Sequence, residues 1–270
     1  MQAELIALRK ELAALEQQAS SDHTSETFSF GFAPADKVLG GGLALGGLHE
    51  VFAAQQADLG AATGFITALT LRAAMDTQAI VWVRQSYAGQ ETGRLYAPGL
   101  ASLGCDPDRV ILVELRDALD VLRAGLEAVR CAALGAVIIE PWGEPKVLDF
   151  TASRRLALAA AQSGVTVFLL RPGAVPQHSA AQTRWQVSAG ASTPLAAGAP
   201  GFPVFDITLL RQRTGTPGQH WHLEWDHEQH IFRQPAGLPP LSRPVVPLPL
   251  RRQASAPEQA NDPIPIARAQ

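Results

Sequence analysis

The chain has 270 residues, 47% of them hydrophobic and only 17% charged, so it can bury a sizeable core and is not wholly disordered. A net charge of −3 gives no global basic field for nucleic acid, and Cys105 and Cys131 are too few for a disulfide framework or a cysteine zinc site. No apolar run approaches the ~20 residues that cross a bilayer, and no charged-then-apolar leader opens the chain. A cytoplasmic globular protein without a membrane partner is expected.

Met1, Leu5, Leu8, Leu12 and Leu15 recur at spacings of four, three, four and three, the a/d seam of a helix over residues 1–19. Such a short seam is marginal alone. It docks either on this chain's own domain or on another protomer or partner. Residues 20–27 are a polar linker.

From Phe28 to Pro172 short apolar strands alternate with helical spacing. Strands are expected at Leu48–Ala54, Ile80–Val83, Val110–Val113, Ala136–Ile139 and Val165–Leu170, and helices at Thr63–Met75, Gly93–Leu103, Ala118–Ala132 and Thr151–Gln162. That alternation predicts an α/β fold, a mainly parallel sheet with helices on both faces. After Arg171 long helices stop. Arg184–Ser188, Val204–Arg211 and His220–Trp225 read as an antiparallel extension, the last half-buried because Trp221, Leu223 and Trp225 alternate with His220, His222 and Glu224. Residues 189–203 form a loop, and the proline-rich stretch 234–270 an extended or disordered tail. Three parts follow: an N-terminal helix and linker over 1–27, a core over 28–233, and the tail.

A glycine-rich turn, a strand, a loop and a helix in succession mark the place of a phosphate-binding loop. Such a loop turns backbone N–H groups onto phosphates, adds a lysine for their charge and a Ser or Thr for Mg²⁺. Here Glu50-Val51-Phe52 leads through Asp58 to Gly60, Ala61, Ala62 and Thr63. The motif itself is absent. Of 22 basic residues only Lys10, Lys37 and Lys146 are lysines, and none is in this loop. Asp58 would set a negative charge beside any phosphate. Glu140, closing the apolar run Val137-Ile138-Ile139, has the form of a strand-end acid that holds Mg²⁺, or of a structural carboxylate ahead of Pro141-Trp142.

Other groupings carry less. His220 and His222 share one strand face about 7 Å apart, with His227 beyond, but no cysteine or acid completes a metal-ligand spacing. His178, Ser179 and Asp206 lack a nucleophile elbow. Cys105 and Cys131 read as free buried thiols. Arg171, Arg184, Arg211 and Arg213 lie at or beside strand ends, where they would face DNA or an acidic protein patch, or cap strands and pair with surface acids. The uncharged loop 189–203 argues for weak autonomous DNA binding or none. In the tail, Val245, Val246, Leu248 and Leu250 form an apolar patch beside Arg243, Arg251 and Arg252, suited to a peptide-in-groove contact unless the tail is a spacer.

Leu39–Phe52, with its glycine cluster, resembles the strand leading into the phosphate loop of RecA-like recombinases. Arg94–Glu114, Gly135–Trp142, Ser153–Pro172, His178–Val187 and Leu209–Asp226, in that order, closely resemble the ImuA family, RecA-like accessory proteins of the bacterial mutagenesis cassette; the match spans about residues 28–226. The resemblance implies a RecA-type core and a role in damage-induced mutagenesis and translesion synthesis in the SOS response. The partners it implies are a catalytically dead Y-family polymerase homologue and an error-prone replicative-type polymerase. RecA itself and a second copy of the chain are further candidates. Against true recombinases, Gly60-Ala61-Ala62 stands where Gly-Lys-Thr would, and Val83-Arg84-Gln85-Ser86-Tyr87 lacks the acid they place after the second core strand. A non-catalytic adaptor without cofactor or metal is the leading expectation. An ATPase with an unorthodox loop and a SulA-type inhibitor of cell division are the alternatives.

Overall fold

The computed structural model describes residues 26–235, apart from 196, 198, 200 and 214. The N-terminal seam and the tail patch lie outside the described residues. Eleven strands and six α-helices are described. In chain order they begin with β1 (Thr27–Phe28), α1 (Ala33–Val38), β2 (Leu43–Ala44), β3 (Leu48–Ala53), α2 (Leu59–Ala73) and β4 (Ile80–Gln85). Then come α3 (Ser86–Thr92), α4 (Ala97–Ser102), β5 (Val110–Leu115), α5 (Ala118–Val129), β6 (Ala136–Glu140), α6 (Phe150–Ser163) and β7 (Thr166–Leu170). Strands β8 (Thr183–Ala189), β9 (Val204–Gln212), β10 (Gln219–Asp226) and β11 (Ile231–Arg233) close the order.

Nine strands form one sheet in the order β11-β10-β9-β8-β3-β7-β6-β4-β5. The six from β8 to β5 run parallel, and β9, β10 and β11 add on antiparallel. Helix α2 packs on one face against β3, β7 and β8, and α5 and α6 cover the other. The apolar runs within β6 and β7 follow from this two-sided cover, which also buries His49 and Glu50 in β3. On the α2 face Phe30, Phe65, Trp185, Phe205 and Phe232 form an aromatic cluster, with Phe30 stacked on Phe232 at 4.7 Å between ring centroids. The opposite layer is aliphatic, built around Leu48, Val83, Val121, Ile139, Leu156 and Val167.

Three elements differ from expectation, each for a local reason. Helix α2 starts at Leu59, not Thr63, because Gly60, Ala61 and Ala62 carry no apolar period yet Ala is the best helix former. Its buried Thr67 and Thr70 donate their hydroxyls to the carbonyls of Thr63 and Ile66, four residues back. The single helix expected at Gly93–Leu103 is two helices, since Gly93 takes φ +85° and Pro98 sits in the first turn of α4. Strand β10 alternates only in its outer half. From Leu223 onward every residue is buried, because β11, too short to show a period, pairs with it. Glu224 and Asp226 are there paired with Arg233, each at 2.7 Å.

Candidate functional site

The place of a phosphate loop lies between β3 and α2. From Ala53 the chain passes Ala54, whose N–H donates to the Val187 carbonyl, and a 3-10 turn, Gln56–Asp58, into α2. A helix N-terminus concentrates partial positive charge and unpaired N–H groups, which is why phosphates bind there. Here Asp58 is buried at that point; its Oδ1 accepts the backbone N–H of Ala189 at 3.0 Å and its Oδ2 has no partner. The chain's own carboxylate supplies the negative charge. Gly60 lies exposed in the first turn with open space around its missing Cβ, so no close approach of a ligand or backbone requires it. Ala61 and Thr63 are half-buried and Ala62 is buried in the core. A cavity of about 120 Å³ beside the loop is lined by Gln55, Gln56, Leu59, Trp142 and alanine and glycine residues, with no basic side chain.

Glu140 closes β6 as expected, but inside the protein. Its Oε2 accepts from Trp82 Nε1 at 2.8 Å and its Oε1 from Arg84 Nη2 at 3.0 Å, both partners lying on the neighbouring β4. Burial pushes the Glu140 carboxyl up, and the Arg84 charge and the Trp82 hydrogen bond oppose that. Both oxygens are engaged, which makes the carboxylate structural in this arrangement. At the end of β4, Gln85 accepts the Trp142 N–H and donates to the Arg116 carbonyl. An amide thus ties strand ends together at the stretch where recombinases carry an acid.

The four arginines singled out in the sequence do not share one surface. Arg171 and Arg184 are buried, both against Glu50: Arg184 Nε lies 2.9 Å from Oε2 and Arg171 Nη1 lies 3.8 Å from Oε1. Burial lowers the pKa of Arg171, Glu50 raises it again, and the guanidinium sits 5.5 Å from the Phe52 ring centroid. Arg211, half-buried, donates to the Ser179 carbonyl. Arg213 is exposed. Two of the four are therefore interior groups, which corrects their placement as DNA-facing or partner-facing cations. The neglected signal was Glu50 within Leu48–Ala53, since an acid inside a fully buried strand demands buried cations. Arg84 in β4 sends the same signal toward Glu140.

The remaining groupings do not come together into one site among the described residues. Ser179 donates to Glu50 and accepts from Arg184, His178 packs on Phe150, and Asp206 accepts from His222 at 2.7 Å, so the three do not converge. An acid, Asp206, does lie against His220 and His222, which sequence spacing did not show. Even so, no group of three or more potential metal ligands comes together among the described residues. Cys105 is buried, its thiol pushed up by burial, whereas Cys131 is exposed, contrary to expectation. No helix among the described residues is long and apolar enough to cross a membrane.

This architecture is a RecA-like core. It is similar to the crystal structure of the RadB recombinase, with a TM-score of 0.50 at 14% identity over 74% of this chain and 97% of that one. No family model matches the chain. It is 32% identical over 239 residues to Protein ImuA of Caulobacter vibrioides, in both strain NA1000 / CB15N and strain ATCC 19089 / CIP 103742 / CB 15, covering 80% of this chain and 91% of the relative. The chain belongs to the ImuA family.

Proposed function

We propose that this protein is a non-catalytic, cytoplasmic RecA-like adaptor that helps to assemble an error-prone translesion polymerase complex after DNA damage. Family membership supports the mutagenesis setting. The observation that carries the non-catalytic part is Asp58. A buried carboxylate at the head of α2, with one oxygen on the Ala189 N–H and the other unpartnered, repels a phosphate from the position where the fold would bind one. The loop has no lysine to offset it, and Glu140 is held by Arg84 and Trp82. Charge stabilisation, metal binding and water activation all lose their usual residues.

In this reading the protein acts by contact. Its partners are the dead Y-family polymerase homologue and, directly or through it, the replicative-type polymerase. The seam of Leu5, Leu8, Leu12 and Leu15 and the patch Val245–Leu250 are the proposed contacts. With Arg171 and Arg184 interior, the basic surface left for DNA near β9 is small. Titration calorimetry with Mg·ATP tests the first half: no heat of binding at micromolar nucleotide is expected, and a micromolar dissociation constant would overturn it. Pull-down of the polymerase homologue by the full chain tests the second half, and a failure to co-purify would remove the adaptor role.

A further inference from the structure

Glu140 and Glu50 are both buried carboxylates beside arginine, but they are satisfied differently. Glu140 meets Arg84 at 3.0 Å, and both of its oxygens accept hydrogen bonds. Glu50 has only Oε2 engaged, by the Ser179 hydroxyl at 2.8 Å and by Arg184 Nε at 2.9 Å. Its Oε1 lies 3.8 Å from Arg171 Nη1, beyond hydrogen-bond reach. Arg171 is served no better. Its Nε has no partner among the described residues, and its Nη2 reaches the Gly143 carbonyl only at 3.4 Å. A buried charge left short of hydrogen bonds is costly, so each such group calls for a partner.

The open pair lines a cavity of about 220 Å³. Glu50, Arg171, Ser153 and Ser179 are buried and form its floor, and the exposed rings of Phe150 and His178, 5.0 Å between centroids, stand at its mouth. Both serine hydroxyls already donate and accept. The unmet capacity of the floor is therefore one acceptor, Glu50 Oε1, beside the donors of Arg171. An occupant has to donate to the first and accept from the second. An anion would accept from Arg171 but oppose Glu50 and, at the rim, Asp149. A cation would donate to Glu50 but oppose Arg171, with Arg184 behind it. A neutral carboxamide presents N–H and C=O from one planar edge and opposes no charge. The volume far exceeds the ~10–15 Å³ that one water needs and falls short of the roughly 300 Å³ at which drug-sized pockets begin. One side chain is the right scale. We infer that this cavity receives the carboxamide of an Asn or Gln side chain from a bound polypeptide, its N–H on Glu50 Oε1, its C=O on the Arg171 guanidinium, and its stem against Phe150 and His178. The site stands or falls apart from the adaptor role.

Three probes of one size separate the possibilities: propionamide, propionate and propylammonium. In proton–nitrogen correlation spectra of the full chain, propionamide is expected to move the Arg171 Nε–H resonance saturably, with a dissociation constant in the millimolar range. The two ions are expected to bind about tenfold more weakly or worse. Glu50→Gln keeps the shape of the floor and removes the charge that opposes an anion, so it is expected to reverse the order and favour propionate. Circular dichroism shows whether that variant is folded, and the comparison of the three probes on the natural protein stands without it. No saturable shift with any probe overturns the inference and leaves the cavity to water. Propionate or propylammonium binding as tightly as propionamide overturns it as well. So does a folded Glu50→Gln that still prefers propionamide.

Discussion

Asp58 at the head of α2 accepts the backbone N–H of Ala189 at the end of β8, Oδ1 to N 3.0 Å. One buried carboxylate thereby joins the turn that leads into α2 to the start of the loop over 189–203.

Asp58→Ala leaves the Ala189 N–H without its partner and is expected to destabilise by about 1–3 kcal/mol. Asp58→Asn keeps an acceptor and removes a buried charge with an unpartnered oxygen, so its urea midpoint should equal or exceed that of the natural protein. A greater loss for Asn than for Ala would show that the charge itself stabilises the helix start.

Arg84 and Glu140 form a buried ion pair, each about 3% exposed. Arg84→Met strands a carboxylate that burial already pushes toward protonation, and a loss of about 3–5 kcal/mol is expected. Glu140→Gln added to Arg84→Met should recover much of it, since neither charge then remains buried. Equilibrium unfolding of the two single variants and the double gives the coupling directly.

His49 is fully buried, with Nε2 donating to the Ala44 carbonyl and Nδ1 accepting from the Thr183 hydroxyl, which itself accepts from Trp185 Nε1. Burial lowers its pKa from 6.5 to about 4, the Ala44 carbonyl pulling weakly the other way. Below pH 6.5 the unfolded chain binds a proton that the folded chain refuses until about pH 4, so stability falls as pH falls through that window. The loss is about 3 kcal/mol. The slope of unfolding free energy against pH between 6.5 and 4 should be shallower in His49→Gln. Equal slopes would assign the acid sensitivity to the carboxylates.

The N-terminal seam is expected to act outside the core. Leu8→Asp with Leu12→Asp should abolish capture of the polymerase homologue, or self-association, and leave the melting temperature of the core unchanged. Unchanged capture and unchanged oligomeric state would make the helix ordinary packing.

Truncation after Gln234 should spare the fold and weaken partner capture, because Val245, Val246, Leu248 and Leu250 go with the tail. Melting curves and a pull-down at two salt concentrations separate the outcomes. Unfolding would assign the tail to the core, and undiminished capture would make it a spacer.

Periodicity by itself determined the strand and helix alternation from Leu48 to Leu170, because a strand covered on both faces is mostly apolar along its length and a covering helix is apolar on one side. The missing lysine was equally legible, since absence from a motif needs no coordinates. The order of the strands, however, belongs to tertiary structure. An apolar run does not say whether it is central or at the edge, so Val110–Leu115 looked like Ala136–Glu140 although one is open and the other covered. The same reason hid the fate of the charges. Sequence shows where Arg171, Arg184, Glu50, Arg84 and Glu140 occur, but only the juxtaposition of β3 with β7 and β8, and of β4 with β6, sets them against one another inside a core where a lone charge is too costly to bury.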